Sequence, residues 1–105
     1  KVFGQIRNNK LVNYIYIKYR GIAGRDKGAW NIEFIWTKRG LRKQGLAKQT
    51  LSKVIKWIAK NNEEVYTYVY KTSQKHYNFK LAKKLLNNFG FILCSKKYYR
   101  VFKKN

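Results

Sequence analysis

The stretch Arg42-Lys43-Gln44-Gly45-Leu46-Ala47 lies between a strand-like segment at 31–37 and a helical pattern at 48–61. The glycine at position 45 lets the backbone approach a ligand closely, because it has no side chain. The helix that follows points its unpaired N–H groups and the positive end of its dipole at the same place. Together these features predict a site for a phosphate or pyrophosphate group.

The net charge of the chain is extreme: 25 Lys and Arg residues stand against 4 Asp and Glu residues, a formal charge of +21. The many positive side chains repel one another in a compact fold, which lowers its stability unless a bound polyanion offsets the repulsion. Nucleic acid is the first partner that this charge indicates, followed by anionic lipid or an acidic protein. A compositional bias is the alternative explanation, but it accounts for the abundant lysines and not for the scarcity of acids.

The length of 105 residues predicts one domain, 1–105, with one modest core. There is no apolar run of about 18 residues, so no membrane span is predicted. Cys94 is the single cysteine, which excludes an internal disulfide. We predict that Cys94 is a small buried core residue in a protein of the reducing cytoplasm. No zinc-ligand pattern, Walker A pattern or Ser-His-Asp combination is visible.

Hydrophobic periodicity predicts eight elements in the order β-β-β-α-β-α-β-β. The predicted strands are 2–7, 11–19, 29–37, 65–70, 91–94 and 98–102, and the predicted helices are 46–59 and 79–89. A helix joins the third strand to the fourth, so we expect these strands to be parallel neighbours. The near-continuous apolar run at 32–36 predicts a central third strand that is covered on both faces. Gly90 is the predicted C-cap of the second helix.

The loop pattern R-x-x-G-x-A at 42–47 resembles the coenzyme A pyrophosphate loop of the GNAT N-acetyltransferase superfamily, Q/R-x-x-G-x-G/A. A second family pattern, A-x(7)-G-F, is matched by Ala82 and Gly90-Phe91. The resemblance covers about 11–102 and implies an α/β (α+β) fold, with a mixed central sheet of about six strands and two main helices. Only a hairpin precedes the third strand, where the family usually has a helical pair in the acceptor-substrate wall. The chain is therefore a minimal member or one whose N-terminal elements lie outside this sequence.

The resemblance implies acetyl-CoA as the cofactor and assigns residues to it. In the family, backbone groups of the strand before the loop hold the thioester, and N–H groups of the loop hold the pyrophosphate. On this sequence the implied cofactor-binding residues are Ile35, Trp36, Thr37, Arg42, Lys43, Gln44, Gly45, Leu46 and Ala47, with Asn78 as a further candidate. The alternative is that Gly45 only makes a tight turn and that the neighbouring cations are solvated.

Acetyl transfer to an amine requires a deprotonated amine, which a base assists. Glu33 is the only acid in a predicted central strand and is the candidate base; the alternative is a carboxylate paired with a lysine. The tyrosine that serves as general acid in many family members is replaced by Leu86. Tyr98 and Tyr77 are candidate substitutes, although packing roles suit both.

Two functions are consistent with these observations. The first is an acetyl-CoA-dependent N-acyltransferase that acts on an amine acceptor on or near nucleic acid or another polyanion. The second is a catalytically inactive GNAT-fold module that binds nucleic acid or another partner. The tyrosines at 14, 16, 19, 66, 68 and 70 are interleaved with basic residues and are suited to stacking on bases. As strand formers, however, such tyrosines more often pack a half-buried sheet.

Overall fold

A computed structural model describes residues 1–41, 45–61, 63–68, 79–94 and 97–101 of the chain. The elements follow one another in the predicted order. The strands are β1 Val2–Arg7, β2 Lys10–Arg20, β3 Ala29–Thr37, β4 Glu64–Tyr68, β5 Ile92–Cys94 and β6 Lys97–Val101, and the helices are α1 Leu46–Lys60 and α2 Phe79–Asn88. Neither helix, over these described residues, is long and apolar enough to cross a membrane.

A two-residue turn joins β1 to β2. Asn8 and Asn9 both have positive φ, 52° and 62°, and Arg7 pairs with Lys10 across the turn. Asparagine tolerates this left-handed conformation better than most residues, and a turn of this kind matches the twist of the strands that it connects. The hairpin therefore brings β1 directly beside β2.

All six strands form one mixed sheet in the order β1-β2-β3-β4-β6-β5. The predicted parallel pairing of β3 with β4 is confirmed, with Ile32 opposite Thr67. Strand β6 lies between β4 and β5 and is antiparallel to both. Strand β5 consequently runs in the same direction as β4, and both helical connections, through α1 and through α2, join parallel strands.

Both helices contribute to a single hydrophobic core on one face of the sheet. Right-handed crossovers that progress in one direction along a sheet place their helices on the same face. The buried apolar side chains of this cluster are Ile15, Ile17, Ile32 and Val65 from the sheet, Leu51, Val54, Ile55 and Ile58 from α1, and Leu86 and Phe91 from the α2 region. Each side chain of this size stabilises the fold by roughly 1.5–3 kcal/mol when it is fully buried.

Helix α2 ends as predicted, at a left-handed glycine. Gly90 has φ 79°, and its N–H donates to Asn87 O at 3.0 Å while Phe91 N–H donates to Leu86 O at 3.1 Å. These two hydrogen bonds define a Schellman motif. The side chains of Leu86 and Phe91, which this motif brings together, are both buried in the core.

Two predictions about burial are wrong. Strand β3 is central in the sheet, but Phe34 is 64% exposed and Trp36 37% exposed, because both helices cover the opposite face. Cys94 is not a core residue but is exposed, because it ends the short edge strand β5. Burial of these residues cannot be predicted from the local sequence, because the number of faces of a strand that are covered depends on the topology of the whole sheet.

A buried polar network ties the start of α1 to three strands. Asn13 is fully buried on β2, and its Nδ2 donates to Trp36 O at 2.9 Å and to Thr37 Oγ1 at 3.0 Å. Its Oδ1 accepts the hydroxyl of Thr50 on α1. Gln5 on β1 completes the network, because its Nε2 donates to Thr50 Oγ1 at 3.0 Å. Every donor of these amide and hydroxyl groups has a partner, which buried polar groups require.

The polar network yields a prediction about Thr50. Thr50→Val keeps the shape of the side chain but removes the hydroxyl, so that Asn13 Oδ1 and Gln5 Nε2 are each deprived of a partner. We expect the free energy of unfolding to fall by about 2 kcal/mol, measured by urea denaturation. The matched control is Thr50→Ser, which keeps the hydroxyl and should lose less than half as much. Equal stability of the two variants would contradict the role of the network.

Candidate active site

The predicted phosphate loop ends in a left-handed glycine that opens α1. Gly45 has φ 76° and ψ 11° and is the N-cap residue, with no side-chain hydrogen bond to the cap and no acidic residue in the first turn. Gln49 N–H donates to Gly45 O at 3.0 Å, the first bond of the helix. The N–H groups of Leu46, Ala47 and Lys48 precede that bond and have no partner within the helix. They point out of its positive end, as an anion site requires.

No described residue crowds the space beside Gly45. A Cβ atom built there meets no other atom of the described residues within 4 Å. The conformation, and not crowding, is what favours glycine, because φ of 76° strains any residue with a side chain. The other predicted loop residues, Arg42, Lys43 and Gln44, lie outside the described residues, and so does Asn78.

The described pairing of strand β3 with β4 reaches to just before the predicted thioester position, and the chain after Tyr68 lies outside the described residues. Over the described residues, the parallel pairing ends at Ile32 and Thr67. The register against β2 shifts at the same point, since Tyr16 lies opposite Phe34 and Ile17 opposite Ile32. Glu33 is therefore the extra residue of a β-bulge, a feature that bends a strand and re-aims its side chains.

Beyond the bulge, alternate residues of β3 direct their main-chain groups away from β2. Lys38 N–H donates to Val12 O at 2.8 Å, and hydrogen-bonded pairs alternate with other pairs along an antiparallel ladder. Trp36 consequently bonds to β2, whereas Ile35 and Thr37 direct N–H and C=O groups toward the side of β4. Of the three residues predicted to hold the thioester, these two have backbone groups that face away from β2.

Glu33 is ion-paired with Arg20 on the face of the sheet that the helices leave uncovered. Arg20 Nε donates to Glu33 Oε1 at 2.8 Å, and Nη2 contacts the same oxygen. The hydrogen bond to Glu33 and the negative charge of that carboxylate raise the pKa of Arg20 above its usual value, so that Arg20 stays charged. The side chain of Glu33 remains one-fifth exposed.

The ion pair lines a cavity of about 510 Å³ on the same face. Asn31 Oδ1 is buried and has no hydrogen-bond partner among the described residues. The cavity is lined by Arg20, Asn31, Ile32, Glu33, Tyr66 and Tyr68. Its acceptor atoms, the carboxylate of Glu33 and the amide oxygen of Asn31, suit a ligand that brings N–H groups.

The remaining candidates do not join this cavity in the described structure. Tyr98 lies on β6 opposite Thr67 and Leu93, and its side chain is not described. Tyr77 lies outside the described residues. Leu86 is a core residue, so that position supplies no proton donor. Its burial beside Phe91 accounts for an aliphatic side chain there.

Sequence reasoning missed Arg20, Asn31 and Tyr66 as neighbours of Glu33. Alternation in β2 places Arg20 on the side opposite Ile15 and Ile17, so a signal for its face was present. Its pairing with Glu33 depends on the β-bulge, which has no marker in the sequence. The buried hydrogen bonds of Asn13 were missed for a similar reason, because the sequence of an apolar strand does not indicate which distant residue pairs with a polar side chain in it.

Solved structures with a similar fold include acetyltransferases. A candidate acetyltransferase from Staphylococcus aureus Mu50 has a TM-score of 0.68 at 20% identity, over 97% of this chain and 72% of that chain. The Bacillus subtilis N-acetyltransferase YlbP, in complex with coenzyme A, has a TM-score of 0.65 at 10% identity, over 95% of this chain and 66% of that chain. The anti-CRISPR protein AcrVA5 has a TM-score of 0.61 at 12% identity, over 85% of this chain and 90% of that chain.

At these identities the likenesses establish the fold alone. No curated protein matches the sequence. A family model, that of the acetyltransferase (GNAT) family, matches residues 3–91, which is most of the chain and includes the bulged strand, Gly45 and the Schellman motif. The chain therefore belongs to the GNAT acetyltransferase family.

Proposed function

We propose that this protein is an acetyl-CoA-dependent N-acyltransferase that forms one domain over residues 1–105. The observation that carries the proposal is the left-handed Gly45, which opens α1 on the connection that follows β3. The unpaired N–H groups at this helix N-terminus accommodate a pyrophosphate, and the main-chain groups at the end of β3 that face away from β2 accommodate the rest of an extended ligand. Family membership supports acetyl-CoA as that ligand.

The described residues suit the cofactor at two points. The N–H groups of Leu46, Ala47 and Lys48 would hold the pyrophosphate, with Arg42 and Lys43 as cationic support. The main-chain groups of Ile35 and Thr37 would hold the thioester end. When bound, acetyl-CoA supplies an activated acyl group on a thiolate leaving group. The protein then needs only to position the acceptor and to manage protons.

Glu33 is the proposed base for the acceptor amine. It lies on the bulge just before the residues proposed to hold the thioester, and the cavity beside it offers acceptor atoms for an amine. The amine nitrogen forms the new bond to the acyl carbon, its proton passes to Glu33 directly or through water, and the carbon–sulfur bond breaks. Arg20 holds the Glu33 carboxylate in place. Tyr98 remains a candidate donor for the departing thiolate.

The charge of +21 supports an acceptor that is part of, or bound near, nucleic acid or another polyanion. Helix α1 contributes to this charge, since Lys48, Lys53, Lys56 and Lys60 are exposed on its outer side. An alternative function is a catalytically inactive module that binds nucleic acid. The burial of Leu86 in the core favours that alternative, because it removes the family's usual proton donor.

The first test replaces Gly45. Gly45→Val forces a branched side chain into φ 76° at the helix N-terminus, and we expect at least roughly tenfold weaker acetyl-CoA binding by isothermal titration calorimetry. The matched control is Gly24→Val, since Gly24 has φ 77°, equally open surroundings and a position at the opposite end of the sheet. The control should lose stability but keep its affinity. Equal affinity of both variants, or no binding by the parent protein at millimolar acetyl-CoA, would contradict the cofactor site.

The second test concerns the base. Glu33→Gln keeps the shape of the side chain but cannot accept the proton, so kcat should fall by about 100-fold or more while acetyl-CoA affinity is unchanged. Thiol release from acetyl-CoA is followed with spermidine and with a lysine-containing peptide as acceptors.

Glu64→Gln is the matched control for the base. Glu64 is also ion-paired on the surface, with Arg25 Nη2 at 2.8 Å from its Oε1, but it lies at the start of β4. This variant should retain the parent rate. A normal rate for Glu33→Gln would assign the base elsewhere. Absence of turnover in the parent, with acetyl-CoA bound, would favour the inactive module.

A further inference from the structure

A face of the sheet that carries six aromatic side chains remains uncovered by either helix. The side chains of Ile15, Ile17, Ile32 and Val65 point into the core, and side chains alternate along each strand. The opposite side, here named the aromatic face, carries Tyr14 and Tyr16 from β2, Phe34 and Trp36 from β3, and Tyr66 and Tyr68 from β4. Cross-strand pairing places Tyr16 opposite Phe34 and Tyr14 opposite Trp36.

The six rings differ in accessibility: Tyr66 is buried, Tyr14 and Tyr16 are half-buried, and the other three are exposed. Tyr14 and Trp36 stack with their centroids 5.5 Å apart, and Tyr16 meets Phe34 edge-on at 6.4 Å. Phe34 is 64% exposed, and Trp36 and Tyr68 are each 37% exposed. Rings that are fixed by paired strands lose little conformational entropy when a planar ligand stacks on them.

Positive charge surrounds these rings. Lys18 and Arg20 lie on the same face, and the two acids that the described strands place there, Glu33 and Glu64, are each paired with an arginine, Arg20 and Arg25. Beyond Trp36, at the end of β3, Arg7, Lys10 and Lys38 line a cavity of about 410 Å³. The aromatic face is thus bordered by cations at both ends.

A partner for this surface must present planar groups and negative charge together. A second copy of the chain fits poorly, because each copy carries +21 and like charges repel across an interface. Single-stranded nucleic acid meets both demands, since its bases stack on aromatic rings and its phosphates bind lysine and arginine. A duplex does not, because its base faces are already stacked.

The spacing of the rings also favours unpaired bases. Phe34 and Trp36 are two residues apart on one strand, a distance of about 6.8 Å. Neighbouring bases in a DNA strand are separated by about 3.4 Å. Bases that stack on successive rings must therefore be splayed apart, which a single strand permits.

We infer that the aromatic face binds single-stranded nucleic acid, with bases stacked on Phe34, Trp36 and Tyr68 and phosphates held by Lys18 and by the cluster of Arg7, Lys10 and Lys38. This inference rests on the polyanion association in the proposed function and assigns a surface and a strand type to it.

The test measures binding of a fluorescein-labelled 12-nucleotide oligothymidylate by anisotropy, without acetyl-CoA. The double variant Phe34→Ala/Tyr68→Ala should bind about tenfold more weakly for each ring that is removed. If the alanine variant folds poorly, Phe34→Leu/Tyr68→Leu replaces it in the test. The leucine variant keeps most of the apolar area but removes the rings, so we expect the same loss of affinity. The matched control Ile92→Ala/Leu93→Ala removes exposed apolar side chains from the edge strand β5 and should bind as the parent does.

Salt dependence separates stacking from phosphate binding. The aromatic variants should keep the parent slope of log K against log salt, because the cations that bind the phosphates are unchanged. Lys10→Ala/Lys38→Ala should reduce that slope by roughly 0.7 for each phosphate that is no longer neutralised. A reduced slope in the aromatic variants would contradict the stacking assignment.

Other outcomes overturn the inference. Parent-like affinity of the aromatic variants for the oligothymidylate would show that the aromatic face does not bind nucleic acid. Equal affinity of the parent protein for the oligothymidylate and for a duplex of the same length would contradict recognition of a single strand. A dimer in sedimentation that the aromatic variants abolish would assign the face to a second copy. Weakened binding only to vesicles that contain 30% phosphatidylserine would assign it to a membrane. Acetyl-CoA affinity is measured separately by calorimetry. Its absence would contradict the proposed function without bearing on whether the aromatic face binds nucleic acid.

Discussion

The hydrogen bonds of the buried Asn13 amide determine how the first helix meets the sheet. One side chain on β2 binds the end of β3 through Trp36 O and the start of α1 through Thr50. The loop between those elements is consequently held at both ends. An unpaired amide at this depth would cost about 1–3 kcal/mol for each group left without a partner. Because the network begins one turn inside α1, it also fixes the direction in which the helix N-terminus points.

The one-sided arrangement of the helices follows from chain connectivity. Both α1 and α2 join parallel strands by crossovers that advance in the same direction, so that both cover one face of the sheet. The tight turn at Asn8 and Asn9 brings β1 directly to β2. Over the described residues, the second face is accordingly left to aromatic and cationic side chains. The same connectivity that completes the core of a small chain leaves Phe34 and Trp36 exposed on the opposite face.

Local patterns predicted most of the fold, and long-range contacts account for what they missed. The alternation of Ile15 and Ile17 defined the core side of β2, and Gly90 marked the end of α2, because both signals are contained within one element. The exposure of Phe34 and of Cys94 depends on which faces and edges the complete sheet leaves uncovered. The loop and Glu33 are site predictions from residue type and position, and they stay predictions. The Arg20 partner of Glu33 could not be predicted, since it arises from a register shift between two strands.

Strand β3 supplies main-chain groups to the proposed cofactor site and side chains to the proposed nucleic-acid site. Main-chain groups of Ile35 and Thr37 point along the sheet toward the side of β4, whereas the side chains of Phe34 and Trp36 stand perpendicular to it on the aromatic face. A cofactor bound to the first set and a nucleic-acid strand bound to the second would therefore use no common atom of the protein. Glu33 lies at the bulge where the two directions meet. Under both proposals, an amine carried on the aromatic face would be presented to Glu33, next to the residues that would hold the thioester.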